Sequence, residues 1–231
     1  MDNPTIPTPN NEQGGNHSRY VSIVQFTRDA TVAITNAQLP DIAPALEKSG
    51  YSGAEIAAKK QDIDNLNNLN ENQKKEYGEA SAATDNYNKA ENLLHSDYIA
   101  HLNLGRIALK NNVAAQIGLG LQGKRKAEEA GYCRQALLFY NGVLADPTYQ
   151  AALLKKGVPD KELVAMRDGY TKLDELAAAK AKEGGEAQQA TKTRNLLYDE
   201  LKEWYSEFKE TAIIALRKQP QAIEKLGWKE S

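Results

Sequence analysis

Gly78-Glu79-Ala80-Ser81-Ala82-Ala83-Thr84 opens a long helical run that Ala108-Leu109-Lys110 closes. Gly185-Glu186-Ala187-Gln188-Gln189-Ala190-Thr191 opens a second, which Ala215-Leu216-Arg217 closes, 107 positions further on (Ala108 to Ala215). Held at that offset without a gap, the two halves go on matching from about residue 26 to residue 123: Pro40 falls on Pro147, Leu46 on Leu153, Gly50 on Gly157, Glu55 on Glu162, Leu66 on Leu173 and Tyr98 on Tyr205. Self-similarity at a fixed period is the mark of a repeated structural unit. The chain reads as one helical unit written twice.

Working outward from these runs, Ile23, Phe26, Ala30, Ala33 and Ala37 step by three and four, which places them on one stripe of a first helix. At the same offset the second half carries Ala130, Cys133, Leu137, Tyr140 and Leu144. Pro40 and Pro147 end that helix, because proline lacks the amide a helix uses and disfavours a helical residue before it. A short segment from Asp41 to Lys48 follows, with Gly50 as a left-handed exit. Ser52-Gly53-Ala54-Glu55 then forms a capping box for a second helix; the other half opens it with Pro159-Asp160-Lys161-Glu162, proline taking a first-turn position. Glycines at Gly78 and at Gly184-Gly185 predict a break before the third and longest helix, about Glu79 to Asn111. Its seam runs Ala80, Ala83, Tyr87, Ala90, Leu94, Tyr98, His101, Gly105 and Ala108, with Ala187, Ala190, Arg194, Leu197, Leu201, Tyr205, Phe208, Ala212 and Ala215 in the second half. A last helical turn, Val113 to Leu119, ends at Gly120, and its counterpart opens at Pro220; Leu121 and Trp228 then tuck back onto the bundle.

The predicted fold is all-α: a tandem duplication of a three-long-helix antiparallel bundle unit with short corner helices. Residues 20–121 form repeat 1 and 122–231 form repeat 2, after a disordered tail at 1–19 that is rich in Pro, Asn, Gly and Gln. In repeat length and number of main helices each unit resembles the spectrin repeat in outline. Spectrin units, however, run one helix into the next where Gly118, Gly120 and Gly123 interrupt this chain, so no function follows from the resemblance.

With 29 Lys and Arg against 31 Asp and Glu and a net charge of −2, no summed field draws the chain to nucleic acid or to an anionic membrane. No run approaches the roughly 20 apolar residues that span a bilayer, and the first residues lack the apolar core of a secretion signal. These features predict a soluble, cytoplasmic protein. Cys133, the single cysteine, lies in an apolar helical pattern and reads as a small buried hydrophobe.

His95 and His101 each follow a carboxylate by four residues, Glu91 and Asp97, on one helix face. Di-iron bundles use Glu-x-x-His instead, and the corresponding positions in the second half are Tyr198, Lys202, Trp204 and Phe208. His101 therefore reads as a satisfied core histidine, His95 as a surface group, and neither as a metal ligand. No nucleophile elbow is present. The glycines at 118, 120 and 123 follow a helix rather than the strand a dinucleotide fold requires. No catalytic residue and no cofactor is expected.

Two candidate sites remain. Tyr87, Tyr98, His101, Trp204 and Tyr205 are expected to line a pocket between the repeats, for a small molecule or a metal. Lys124-Arg125-Lys126 is the densest basic run and a candidate contact for phosphates, although acids are interspersed nearly everywhere and Glu128-Glu129 follow directly. The leading expectation is a non-catalytic structural or protein-interaction protein, a subunit of a larger homo- or hetero-assembly. A ligand-binding protein or enzyme, and then a nucleic-acid contact through residues 124–126, are the alternatives.

Overall fold

The computed structural model describes residues 22–123 and 128–228, and among them every regular element is a helix. They are α1 (Ile23–Ala37), α2 (Ala43–Glu47), α3 (Gly53–Ala108), α4 (Val113–Gly118), α5 (Glu129–Ala145), α6 (Pro147–Leu154), α7 (Asp160–Ala215) and α8 (Pro220–Lys225). Both ends of α3 and of α4 recur 107 positions later as the ends of α7 and α8. The expected tail at 1–19 and the basic run at 124–126 lie outside the described residues. Among the described residues no helix is long and apolar enough to cross a membrane.

One expectation fails in both halves. The second and third long helices are a single helix of 56 residues, running unbroken through Gly78 in α3 and through Gly184 and Gly185 in α7. A helical glycine costs about 1 kcal/mol relative to alanine, and that cost is tolerated when its neighbours favour the helix. Glu76, Glu79 and Ala80 do so in α3, and Lys182, Glu183, Glu186 and Ala187 in α7. Nothing lies within 4 Å of a Cβ built at any of these three glycines, so they serve no close approach. The glycines that do mark a corner before each long helix are those where the backbone turns left-handed: φ is 99° at Gly50 and 86° at Gly157.

At those two corners the amide after the glycine bonds back to a carbonyl five residues earlier, Tyr51 to Leu46 and Val158 to Leu153, both at 3.1 Å. This is the Schellman exit, which needs a residue tolerant of positive φ. Gly120 and Gly227 repeat it after α4 and α8. All four exits drop the next side chain into a core: Tyr51, Val158, Leu121 and Trp228 are buried. Helix starts follow their local chemistry as well. Ser52 Oγ accepts from the Glu55 amide at 3.2 Å, and Asn112 and Asp146 cap α4 and α6 in the same way. Only the serine half of the expected capping box is seen; the Glu55 carboxylate instead accepts from the indole of Trp204.

Two compact units form, and each draws on both halves of the sequence. The first runs up to Tyr77 and resumes at Glu186; the second spans Gly78–Gly185. In the first, Ile34, Ile56, Ile63 and Leu66 share one core with Leu201, Phe208, Leu216 and Leu226. Glu55 meets Trp204 and Gln73 meets Arg194, so the early part of α3 and the late part of α7 run antiparallel. In the second, Tyr98 and Leu102 share a core with Tyr140, Leu163, Tyr170 and Leu173. There His101 meets Glu162 and Tyr87 meets Lys180, again antiparallel.

The first helix corrects the gapless offset. The buried residues of α1 are Phe26, Thr27, Ala30, Ala33, Ile34 and Ala37. Those of α5 are Tyr132, Cys133, Ala136, Phe139, Tyr140 and Val143, an offset of 106 at every position. Leu137 and Leu144, expected on the inner stripe, are only half-buried. One extra residue in the second half is absorbed between α5 and α6, where α5 runs on to Ala145 and Pro147 starts the next helix at once. A stripe stepping by three and four survives a one-residue slip when neighbouring positions are also apolar, and Leu137, Leu138, Phe139 and Tyr140 supply them.

Candidate functional site

The chemistry-bearing side chains of the second unit gather around Tyr98. His95, Tyr98 and His101 stand on successive turns of α3, Tyr132 and Tyr140 on α5, and Glu162 and Tyr170 on the first turns of α7. The Tyr98 ring contacts four others: Tyr170 at 5.3 Å between centroids, Tyr132 at 5.6 Å, Tyr140 at 6.1 Å and Phe139 at 6.5 Å. Edge-on pairs of this kind are favoured because the positive rim of one ring meets the negative face of the next.

Two hydrogen-bonded strings thread the cluster. In one, His101 Nε2 lies 2.9 Å from Glu162 Oε1 and Nδ1 lies 3.1 Å from the Tyr140 hydroxyl. A carboxylate only accepts, so Nε2–H donates to Glu162, and in the neutral imidazole Nδ1 then accepts from the Tyr140 O–H. The imidazole is 3% exposed, whereas the Glu162 side chain is 47% exposed and carries the string outward. In the other string the Tyr132 and Tyr170 hydroxyls lie 2.7 Å apart and His95 Nδ1 is 3.2 Å from the Tyr132 hydroxyl. His101 is thus the satisfied core histidine expected. His95, expected at the surface, is half-buried and tied to Tyr132.

Burial, before any other cause, holds the phenols of Tyr87, Tyr140 and Tyr170 well above their ordinary 10, so all three remain protonated and able to donate. Burial likewise pushes the Cys133 thiol from 9.0 up to about 11. A thiol held protonated is a poor nucleophile, which agrees with the reading of Cys133 as a packed hydrophobe. Lys180 stands over the Tyr87 ring, 4.9 Å from its centroid, and pairs with Glu129.

The first unit holds the other aromatic group. Trp204 stacks on Phe208 at 5.0 Å with the rings 6° from parallel, and Tyr51 meets both edge-on. The two indole N–H groups donate outward from the stack, Trp204 to Glu55 at 3.2 Å and Trp228 to the Tyr205 hydroxyl at 3.0 Å. A recess of about 380 Å³ beside them is lined by Ala37, Gln38, Ala43, Glu47, Tyr51, Gly53, Ile56 and Ala57, a wall part polar and part apolar.

The five side chains expected around one pocket therefore fall into two groups. Tyr87, Tyr98 and His101 belong to the second core, and Trp204 and Tyr205 pack against the first. Lys124, Arg125 and Lys126 are not among the described residues. The partners that complete the cluster, Tyr132, Tyr140, Glu162 and Tyr170, were not singled out as site residues. Their sequence signal is faint: hydroxyl-bearing tyrosines occupy stripe positions where the other half has Phe26, Ile34 and Ile63. Comparisons of this chain with models of known protein families, with curated proteins and with solved structures find no match.

Proposed function

We propose that this is a non-catalytic, cytoplasmic structural or protein-interaction protein, a subunit of a larger homo- or hetero-assembly, whose halves at 20–121 and 122–231 arose by tandem duplication of one helical unit. What supports the role is a set of apolar side chains left in water where the long helices end. Ile107 in α3 is 57% exposed and its counterpart Ile214 in α7 is 64% exposed, and Val113 and Ile117 on one face of α4 are 66% and 64% exposed. Single exposed aliphatics are ordinary, but an isoleucine standing in solvent at the same place in both halves fits a surface that a partner covers. The His95 and His101 strings favour the same reading, since their polar groups are engaged with one another.

Size-exclusion chromatography with light scattering, together with affinity capture, tests the proposal. The expected result is an assembly larger than one chain, or a stoichiometric partner, that is lost in an Ile107→Asp, Ile214→Asp double variant. A strict monomer that captures nothing overturns it. The alternative reading is a small-molecule or metal-binding protein or enzyme. A panel of metals and metabolites distinguishes the two, because a ligand specific to the folded state raises the melting temperature.

A further inference from the structure

We infer that the two halves of this chain are each other's specific partners: each core closes only with the late helix of the other half, and side chains at matched positions are coded against pairing of a half with a second copy of itself. This stands independently of the role proposed above. Each unit takes its first helix, corner and early long helix from one half, and its late long helix and last turn from the other. Without that exchange the inner faces of α1 and α5 lack the helix that covers them.

Three pairs of matched positions carry the coding. In the second unit Lys180 lies over Tyr87; at the matched positions of the first unit, Gln73 Oε1 accepts from Arg194 at 2.9 Å. The second half paired with itself would set Arg194 on Lys180, two like charges. In the second unit His101 joins Tyr140 to Glu162, whereas the first places Phe208 in a core with Ile34 and gives Glu55 the indole of Trp204. The second half paired with itself would press Phe208 on the Tyr140 hydroxyl, while the first paired with itself would set His101 beside Ile34 and lose both tryptophans. Finally, a Cβ on Gly105 would stand 2.9 Å from the Phe139 ring, while the matched Ala212 shares its core with Ala33. Self-pairing of the second half would oppose Ala212 to Phe139. Unpaired polar groups, like charges and overpacking are the means by which an interface rejects a wrong partner.

The test replaces residues 124–127 with the site of a specific protease and cuts the folded full chain there. Light scattering should find one species holding both halves in equal amounts. Cut protein is then mixed with isotope-labelled cut protein, unfolded in urea, refolded and weighed by native mass spectrometry. The expected complexes each hold one first half and one second half. Halves that separate on cutting, or that refold into self-pairs as often as mixed ones, overturn the inference. In the uncut chain, Gln73→Lys sets a lysine against Arg194 and should lower the folding equilibrium constant about threefold, a like-charge effect of ordinary surface size. Adding Arg194→Tyr, which recreates the pair of the other core, should restore it. A Gln73→Lys variant as stable as the parent, or a double variant no better than the single one, also counts against the coding.

Discussion

The two cores place the same kinds of helix at matched positions and fill them by opposite means. Tyr132 and Tyr98 meet edge-on at 5.6 Å in the core of Gly78–Gly185, and Phe26 and Tyr205 do so at 5.6 Å in the other. Beyond that shared pair they part. The second core sets His101, Tyr140 and Tyr170 where the first has Phe208, Ile34 and Ile63, so hydroxyls and an imidazole must find one another in a dry interior. The first core turns its indole N–H groups toward Glu55 and Tyr205, and its unit buries Thr27 and Asn70 rather than an imidazole. One backbone plan thus accepts an apolar stack or a hydrogen-bonded cluster. His101 and the Tyr132, Tyr140 and Tyr170 hydroxyls bond to one another or to His95 and Glu162, since a buried orphan costs more than a hydrogen bond returns.

Four experiments press on that comparison. Both tryptophans pack in the first core, so their fluorescence follows that core alone, while near-ultraviolet tyrosine signals weigh toward the second. The largest effect is expected from Phe208→Ala, which empties the middle of the Trp204 stack and should cost about 3–5 kcal/mol in urea unfolding, read first by fluorescence. Next, His101→Phe gives the second core the residue of the first. It leaves the buried Tyr140 hydroxyl without its acceptor and should cost about 1–3 kcal/mol, read in the tyrosine signals. A stability equal to the parent would mean that the histidine string is dispensable.

High pH should press on both cores, since burial also raises the Tyr51 and Tyr205 phenols of the first. The Cys133 thiol and the Tyr87, Tyr140 and Tyr170 phenols are raised in the folded protein. The stability they contribute is therefore complete below their unfolded values and is lost as pH climbs through the folded ones. The melting temperature is expected to hold to about pH 9 and then fall, with Cys133→Ala flattening the part of the fall between 9.0 and about 11. A fall of the same steepness in that variant would assign the loss to the phenols alone. The smallest change is a gain. Gly78→Ala, where a Cβ meets nothing, should stabilise α3 by up to about 1 kcal/mol; a loss there would show that the helix bends at Gly78.

Much of this was legible residue by residue. The corners at Gly50, Gly120, Gly157 and Gly227, the proline stops and the serine cap at Ser52 are local, each settled by a few neighbouring residues. The burial of Phe26, Ala30, Ala33 and Ala37 followed from spacing. Gly78 and Gly184-Gly185 misled because glycine permits a break without compelling one, and strong helix formers on either side outweigh it. The Tyr–His cluster was hidden for another reason: its seven members come from α3, α5 and α7, and nothing in the spacing of Tyr140 or Glu162 points to His101.

The sequence by itself determined that this chain is helical, that it carries two matched sets of apolar stripes, and where its corners turn, because caps, φ preferences and periodicity act within a few residues. Only the tertiary structure decided that each stripe is covered by the other half, that the first helices match at 106 rather than 107, and which polar groups meet. A three-and-four pattern states that a face avoids water without naming the face it will meet. With two near-equal candidates for every inner face, the choice falls to the fit of Phe139 on Gly105, Tyr140 on His101 and Arg194 on Gln73.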